Sequence, residues 1–110
     1  METEVINITP TLAKLWLDEN NYSDNRAISP SAVTFYARQM EKKLWRLNGE
    51  PLIFDKTNML LNGQHRLSAV VLSKKTIPML VVKGVDQDAF TTIDGGTTRS
   101  PGVNFKMKGL

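Results

Sequence analysis

The stretch that decides the fold is Asn58-Met-Leu-Leu-Asn-Gly-Gln-His-Arg-Leu-Ser-Ala-Val-Val71. Its apolar segment 59–61 is typical of a short strand, and a tight turn is predicted at Asn62-Gly63. A helix follows, because the apolar residues after Gln64 recur at helical spacing. Such a junction aims unpaired N–H groups and the positive end of the helix dipole, roughly +0.5 charge, at one point in space.

The first turn of this helix contains Gln64, His65 and Arg66. A guanidinium and an imidazole beside a helix N-terminus form a site for an anion, most naturally a phosphate. The same side chains could instead hydrogen-bond the helix-end carbonyls of a neighbouring element. The segment would then have a purely structural role at a turn of the chain. The residues alone leave both interpretations open.

The chain has 110 residues, enough for one domain with a single core. Its apolar stretches are far shorter than the roughly 18–20 residues of a membrane-spanning helix. The N-terminus lacks the features of a signal peptide, so a cytoplasmic location is expected. With no cysteine and one histidine, the chain forms no disulfide or thiolate site, and no protein-only metal site is expected.

The net charge of +3 is unevenly distributed. Residues 1–24 contain one lysine and five acidic residues, a balance of −4, whereas residues 25–75 contain nine basic and three acidic residues, a balance of +6. A basic middle segment favours a polyanionic partner, a nucleotide or a nucleic acid. An ordinary solvated surface is the alternative interpretation.

The remaining elements follow from caps and periodicity. Strands are predicted at 4–8, 52–54 and 76–83, with 52–54 and 59–61 forming a hairpin. Helices are predicted to begin at Thr9-Pro10, ending near residue 20, and at Ser29-Pro30, ending at Asn48-Gly49, with a last short helix at 87–93. Trp16 is expected in the core, with a platform for a base as the alternative.

These elements predict an α/β (α+β) domain with a small mixed sheet of about four strands covered by helices. The apolar run 76–83 predicts a strand buried on both faces, with Pro78 near its start or on an edge. The strand–helix–strand succession from 59 to 83 implies a crossover, right-handed if the two strands are parallel.

Basic residues form a row on the second predicted helix, at Arg38, Lys42 and Arg46. A row of this kind can follow a phosphate backbone, and it can equally be the solvated face opposite an apolar stripe. In the loop 20–28, Arg26 could reach a ligand phosphate, pair with Asp24 or cap the preceding helix.

The C-terminal part carries two further expectations. Residues 94–101 are turn-rich and are expected to form a plain loop, with a backbone nest for an anion at Gly95-Gly96, and Arg99 nearby, as the alternative. Residues 101–110 are predicted to be a tail that frays or requires a partner.

Taken in order, four segments resemble the ParB N-terminal/sulfiredoxin-like superfamily: Asn25-Arg26, residues 29–46, Asn48-Gly-Glu-Pro-Leu-Ile-Phe-Asp55 and residues 60–71. More narrowly, they resemble its phage and prophage branch, which has an (Asp/Asn)-Gly-Gln-His-Arg-Leu box. Residues 77–82 and 93–100 extend the resemblance, which covers roughly Ile6 to Ser100.

The resemblance implies a nucleotide-binding domain over residues 1–100, with the phosphates at the start of the helix after the glycine. The residues that it assigns to the nucleotide site are Arg26, Glu50, Asn62, Gly63, Gln64, His65 and Arg66. The implied ligand is a nucleoside triphosphate, with Mg²⁺ as its companion ion.

The chain also departs from the family pattern. Sulfiredoxins require a cysteine where Gln64 stands, so sulfiredoxin activity is excluded. Asn62 replaces the Asp common in the phage branch, and the helical DNA-binding region of the partition proteins is absent. Related phage chains continue past residue 100, so part of the usual C-terminal half is expected to be missing.

Two hypotheses follow. In the first, the chain binds a nucleotide in a bacterial host cytoplasm and could act as a weak NTPase or phosphotransferase, with Glu50 and His65 as the plausible nearby bases. In the second, it is a non-enzymatic phage protein that binds DNA or a host protein through the basic helix at 30–46. A homodimer is compatible with either hypothesis.

Overall fold

The computed structural model describes residues 1–23 and 25–93. They form a four-stranded mixed sheet in the order β1-β4-β2-β3. The strands are β1 (Glu2–Ile8), β2 (Pro51–Asp55), β3 (Leu60–Asn62) and β4 (Ile77–Val85). β4 pairs antiparallel with β1 and parallel with β2, while β2 and β3 form the predicted antiparallel hairpin. The predicted fold class is confirmed.

In the described part of the chain, three α-helices and one 3-10 helix accompany the sheet: α1 (Pro10–Glu19), α2 (Pro30–Glu41), α3 (Gln64–Ser73) and the 3-10 helix (Gln87–Thr92). Both predicted N-caps are present. The Leu12 N–H donates to the Thr9 hydroxyl at 3.1 Å, and the Ala32 N–H donates to the Ser29 hydroxyl at 3.4 Å. Each cap satisfies an N–H that the first helical turn leaves unpaired, typically worth about 1 kcal/mol.

The end of α2 differs from the prediction. The helix stops at Glu41 rather than Arg46, and Lys43 takes the left-handed conformation with a φ of 60°. The N–H groups of Lys43 and Leu44 turn back to carbonyls of the last helical turn, at 3.1 and 2.8 Å. This is a Schellman-type terminus in which lysine takes the place of the usual glycine. The predicted stop at Asn48-Gly49 is therefore wrong.

The main hydrophobic core lies between the helices and one face of the sheet. α3 contacts both α1 and α2, and its Leu67, Ala69 and Val70 side chains are fully buried. The rings of Trp16 and Phe54 meet edge to face with centroids 4.8 Å apart, so Trp16 belongs to this core. Burial of a leucine or valine side chain contributes roughly 1.5–3 kcal/mol, which fixes α3 firmly against the sheet.

β4 is less buried than its apolar run predicts. Ile77, Met79 and Val81 are buried in the main core, whereas Pro78, near the start of the strand as predicted, is exposed and Leu80 is half-buried. On the opposite face a smaller cluster centres on residues of β3, β4 and the 3-10 helix. The expectation of burial on both faces is wrong for the first half of β4, because that smaller cluster covers only part of the sheet.

The predicted crossover takes another form. β3 is antiparallel to β2 and β2 is parallel to β4, so the strands before and after α3 run in opposite directions. They also lie on either side of β2 rather than next to each other. The parallel pair is instead β2 with β4, and the connection between them includes β3 and α3.

Among residues 1–23 and 25–93, no helix is both long and apolar enough to span a membrane. Three sequence expectations fall outside these residues: the pairing of Arg26 with Asp24, the Gly95-Gly96 nest with Arg99, and the tail 101–110.

The link from β3 to α3 depends on Gly63. Its φ of 115° lies in the left-handed region that favours glycine, and a Cβ at this position would lie 2.3 Å from Leu52 Cδ2. Leu52 is fully buried, so its side chain has little room to move away. A side chain at residue 63 would therefore meet both backbone strain and a clash inside the core.

We expect Gly63→Ala to lower the free energy of unfolding by about 2–4 kcal/mol, because left-handed backbone strain and overpacking add. Gly49→Ala is the matched control, since Gly49 has a φ of 83° but no atom within 4 Å of the added Cβ. The control should lose only about 1 kcal/mol. Urea unfolding monitored by circular dichroism measures both losses; equal losses would contradict the steric role of Leu52.

Candidate functional site

The candidate site forms where β3 passes through Gly63 into α3. No side chain caps this helix N-terminus, since Gly63 occupies the cap position. The first intrahelical bond runs from the Leu67 N–H to the Gly63 carbonyl at 3.0 Å. The N–H groups of the preceding residues, Gln64 to Arg66, therefore carry the partial positive charge that an uncapped helix presents to an anion.

Gln64 is buried and holds the loop before α2 against the junction. Its side-chain amide donates to the Arg26 carbonyl and accepts from the Asn21 amide, at 3.1 Å for the latter. Asn25 strengthens the same link by donating to Asn21 Oδ1 at 2.7 Å and to the Leu60 carbonyl at 2.8 Å. Both ends of the Gln64 amide are thus used internally, and what it offers a ligand is its main-chain N–H.

His65 joins the starts of α2 and α3. Its Nε2 accepts a hydrogen bond from the Ser29 N–H at 2.9 Å, so the neutral ring carries its proton on Nδ1. Burial lowers the pKa of His65 below its ordinary 6.5, and the nearby charge of Arg26 lowers the pKa further. The imidazole is therefore neutral at pH 7 and supplies no positive charge, contrary to its expected contribution to an anion site.

Arg66 is half-buried beside the start of β2. Its guanidinium donates to the main-chain carbonyls of Glu50 and Pro51, each at 2.9 Å. Burial lowers the pKa of Arg66, an effect that the negative charge of Glu50 partly offsets. Since arginine stays protonated in proteins, Arg66 brings a fixed positive charge to the junction.

These side chains line one cavity of about 630 Å³, here called the junction cavity. All seven residues assigned to the nucleotide site from sequence border it, although they come from three separate segments of the chain. Its full lining is Asn25, Arg26, Ala32, Tyr36, Glu50, Pro51, Ile53, Asn62, Gly63, Gln64, His65, Arg66, Thr92 and Ile93. A volume of this size is typical of small-molecule sites.

Seven lining residues were not assigned to the site from sequence, although most of them lie in segments that carry the resemblance: Asn25, Ala32, Tyr36, Pro51, Ile53, Thr92 and Ile93. Tyr36 reads as the flank of an apolar helical stripe, and Ile53 as an ordinary strand residue. Thr92 and Ile93 close the 3-10 helix and reach the cavity only through tertiary packing. A pattern along the chain cannot report such long-range contacts.

The charges at the junction cavity are not balanced by ion pairs. Within residues 1–23 and 25–93, the salt bridges are Lys14–Asp18 and Lys56–Asp86, and both lie elsewhere on the surface. Arg26 is exposed and Arg66 half-buried, and Glu50 contributes the one carboxylate among the lining residues. The cavity therefore has a net positive character from its side chains, to which the start of α3 adds.

The basic row predicted on α2 is interrupted. Arg38 lies on the helix and Lys42 at its C-cap, but Arg46 lies beyond the reversal at Lys43. The Arg46 guanidinium donates to the carbonyls of Lys43 and Trp45, at 2.9 and 3.3 Å. The predicted helix over 30–46 and its three-residue row are thus wrong, and only Arg38 and Lys42 remain one turn apart.

The His65–Ser29 bond predicts a pH dependence of stability. In the unfolded chain the histidine takes up a proton near pH 6.5, whereas folded His65 resists protonation because its Nε2 already accepts a hydrogen bond. The free energy of unfolding should therefore fall as the pH falls below 6.5, by at most about 1.4 kcal/mol per pH unit. His65→Gln, which keeps an acceptor but does not titrate, should remove this slope. Urea unfolding between pH 7.5 and 5 tests it; identical slopes would contradict the assignment, since the chain has no other histidine.

Comparisons of the chain with protein-family models, with curated proteins and with solved structures found no match. The resemblance to the ParB/sulfiredoxin-like superfamily accordingly stays a prediction made from the order of the motifs in the chain.

Proposed function

We propose that the chain is a phage- or prophage-type ParB/sulfiredoxin-like domain that binds the phosphates of a nucleotide in the junction cavity. The observation that carries this proposal is the convergence of Arg26, Arg66 and the uncapped start of α3 on one cavity. Anionic groups bind favourably where helix N–H groups and guanidinium donors face the same space.

Arg66 contributes in two ways to the proposed site. Two of its N–H groups bind the Glu50 and Pro51 carbonyls, which fixes the guanidinium relative to β2. A guanidinium has five N–H donors, so donors remain for a ligand oxygen. A charge held in place before the ligand arrives loses less conformational entropy on binding than a mobile charge would.

Arg26 supplies the second charge from the opposite loop. Gln64 holds the main chain of Arg26 against α3, while the Arg26 side chain is exposed at the cavity edge. Its charge is close enough to lower the pKa of His65. This position suits a guanidinium that closes over a bound phosphate.

Nucleotide binding is the main proposed activity, and Mg²⁺ and hydrolysis are secondary to it. The described residues contain no group of three or more His, Cys, Asp or Glu side chains that could hold a metal ion. Mg²⁺ would therefore enter with a nucleoside triphosphate, held by its phosphates with Glu50 as the protein ligand, an arrangement that Mg²⁺ commonly adopts. Because His65 Nε2 already accepts from Ser29, Glu50 is the better of the two candidates for a base in slow hydrolysis, as an alternative to its role as a Mg²⁺ ligand.

We expect native protein to bind ATP, CTP or GTP, and Arg26→Ala to weaken that binding about tenfold, roughly 1.4 kcal/mol. The exposed Arg26 side chain makes little contribution to stability, so the variant should fold. Arg38→Ala is the matched control, because it removes the same charge from an exposed site outside the cavity. Calorimetry with and without Mg²⁺ measures both affinities; no binding by native protein at millimolar nucleotide would refute the proposal.

A second candidate function is binding of DNA or a protein partner through α2. Arg38 and Lys42 support it, since both are exposed one turn apart and neither forms an ion pair with a described residue. The loss of Arg46 from the row weakens the polyanion version, because fewer phosphates can be neutralised along one line.

For the DNA version, we expect binding to weaken steeply with salt, and Arg38→Glu with Lys42→Glu to abolish it. Arg38→Ala with Lys42→Ala should make the slope of log affinity against log salt shallower by about 2, one phosphate contact per residue. Arg26→Ala serves as the comparison, and should leave that slope nearly unchanged. Fluorescence anisotropy with a labelled duplex over a salt series gives the slopes; an unchanged slope in the double alanine variant would contradict this candidate.

A further inference from the structure

A second cavity of about 340 Å³ adjoins the junction cavity and is here called the aromatic cavity. Its lining residues are Phe35, Tyr36, Gln39, Leu44, Trp45, Arg46, Asn48, Glu50 and Arg66. Tyr36, Glu50 and Arg66 also line the junction cavity, so these three residues border both spaces. A single ligand that passes them would reach both cavities.

The aromatic cavity is lined by three aromatic residues, of which Phe35 is the most exposed. Tyr36 meets Trp45 and Phe35 edge to face, with centroids 5.5 and 5.9 Å apart. Phe35 is 60% exposed, whereas Tyr36 and Trp45 are half-buried and pack in part against the main core. Aromatic rings that remain accessible beside a cationic cavity are suited to stacking with a nucleobase.

The early end of α2 creates this cavity. Because Lys43 reverses the chain, the Leu44 N–H bonds the Gln39 carbonyl and the next residues return along the last turns of the helix. Arg46 then fixes the returning segment by donating to the carbonyls of Lys43 and Trp45. The ring of Trp45 is thereby held next to Tyr36.

We propose that the aromatic cavity receives the base of the nucleotide whose phosphates occupy the junction cavity. This inference rests on the proposed function and names its ligand class: a nucleoside polyphosphate rather than a phosphate, a sugar phosphate or a phosphopeptide. The ribose would then lie near the residues that both cavities share, Tyr36, Glu50 and Arg66.

Asn48 and Gln39 are the polar side chains available to the edge of the base. Asn48 Oδ1 accepts from the Glu50 N–H at 3.0 Å, which leaves the Asn48 amide donor for a ligand. Stacking tolerates any base because every base has a flat face, so the base should add affinity in all four nucleotides.

The test compares ATP with inorganic tripolyphosphate, which carries the same number of phosphates without a base. By calorimetry with Mg²⁺ present, we expect native protein to bind ATP more tightly than tripolyphosphate. Phe35→Ala and Trp45→Leu should weaken ATP affinity roughly 5- to 150-fold, the range expected for the loss of one stacked base, and leave tripolyphosphate affinity unchanged. Leu72→Ala is the control, since Leu72 is a similarly exposed apolar side chain on α3 outside both cavities.

The outcomes separate the two proposals. If tripolyphosphate binds and ATP binds no more tightly, or if both aromatic variants leave ATP affinity intact, the base site is wrong and the phosphate site stands. If neither ligand binds native protein, both the proposed function and the proposed base site are wrong. Phe35→Ala keeps the test decisive if Trp45→Leu unfolds, because the exposed Phe35 is not part of the core.

Discussion

A glycine in the left-handed conformation, packed against a buried leucine, is the constraint on which the candidate site depends. Gly63 allows β3 to turn directly into α3 while Leu52 fills the space that a Cβ would need. The same choice leaves the helix without a side-chain cap. Packing in the core and the exposure of helix N–H groups at the cavity therefore have one physical cause, and neither can be altered without the other.

The polar box after this glycine serves the fold and the cavity at once. Gln64 ties down the loop before α2, His65 joins two helix starts, and Arg66 binds the carbonyls at the start of β2. The two interpretations that the sequence left open, a purely structural role and an anion site, are thus compatible. Side chains that hold three segments together also hold two guanidinium groups around the same space, and that preorganisation is what a phosphate site requires.

Local chemistry accounts for what the sequence predicted well. Thr9-Pro10 and Ser29-Pro30 mark helix starts because a hydroxyl cap and a fixed proline φ act within a few residues. The end of α2 was missed because Lys43, a residue type with no special preference for it, takes the left-handed conformation of a Schellman-type terminus. The β4 strand was predicted as too buried because composition cannot show how much of a sheet face the neighbouring elements cover.

The candidate site likewise contains residues that the sequence could predict and residues that depend on the tertiary structure. Residues 62–66 could be found because they are consecutive and form a recognisable box, and Arg26 and Glu50 came from the resemblance. Tyr36, Trp45 and Phe35 could not be assigned, since the aromatic cavity exists only after the unpredicted reversal at Lys43 brings the chain back along α2.

Amide nuclear magnetic resonance during a titration with tripolyphosphate tests the central claim most directly. If an anion is held at the start of α3, the largest saturable shifts should appear at the backbone N–H groups of Gln64, His65 and Arg66. Saturable shifts confined to the exposed α2 residues Arg38 and Lys42, with the three junction amides unmoved, would contradict the account.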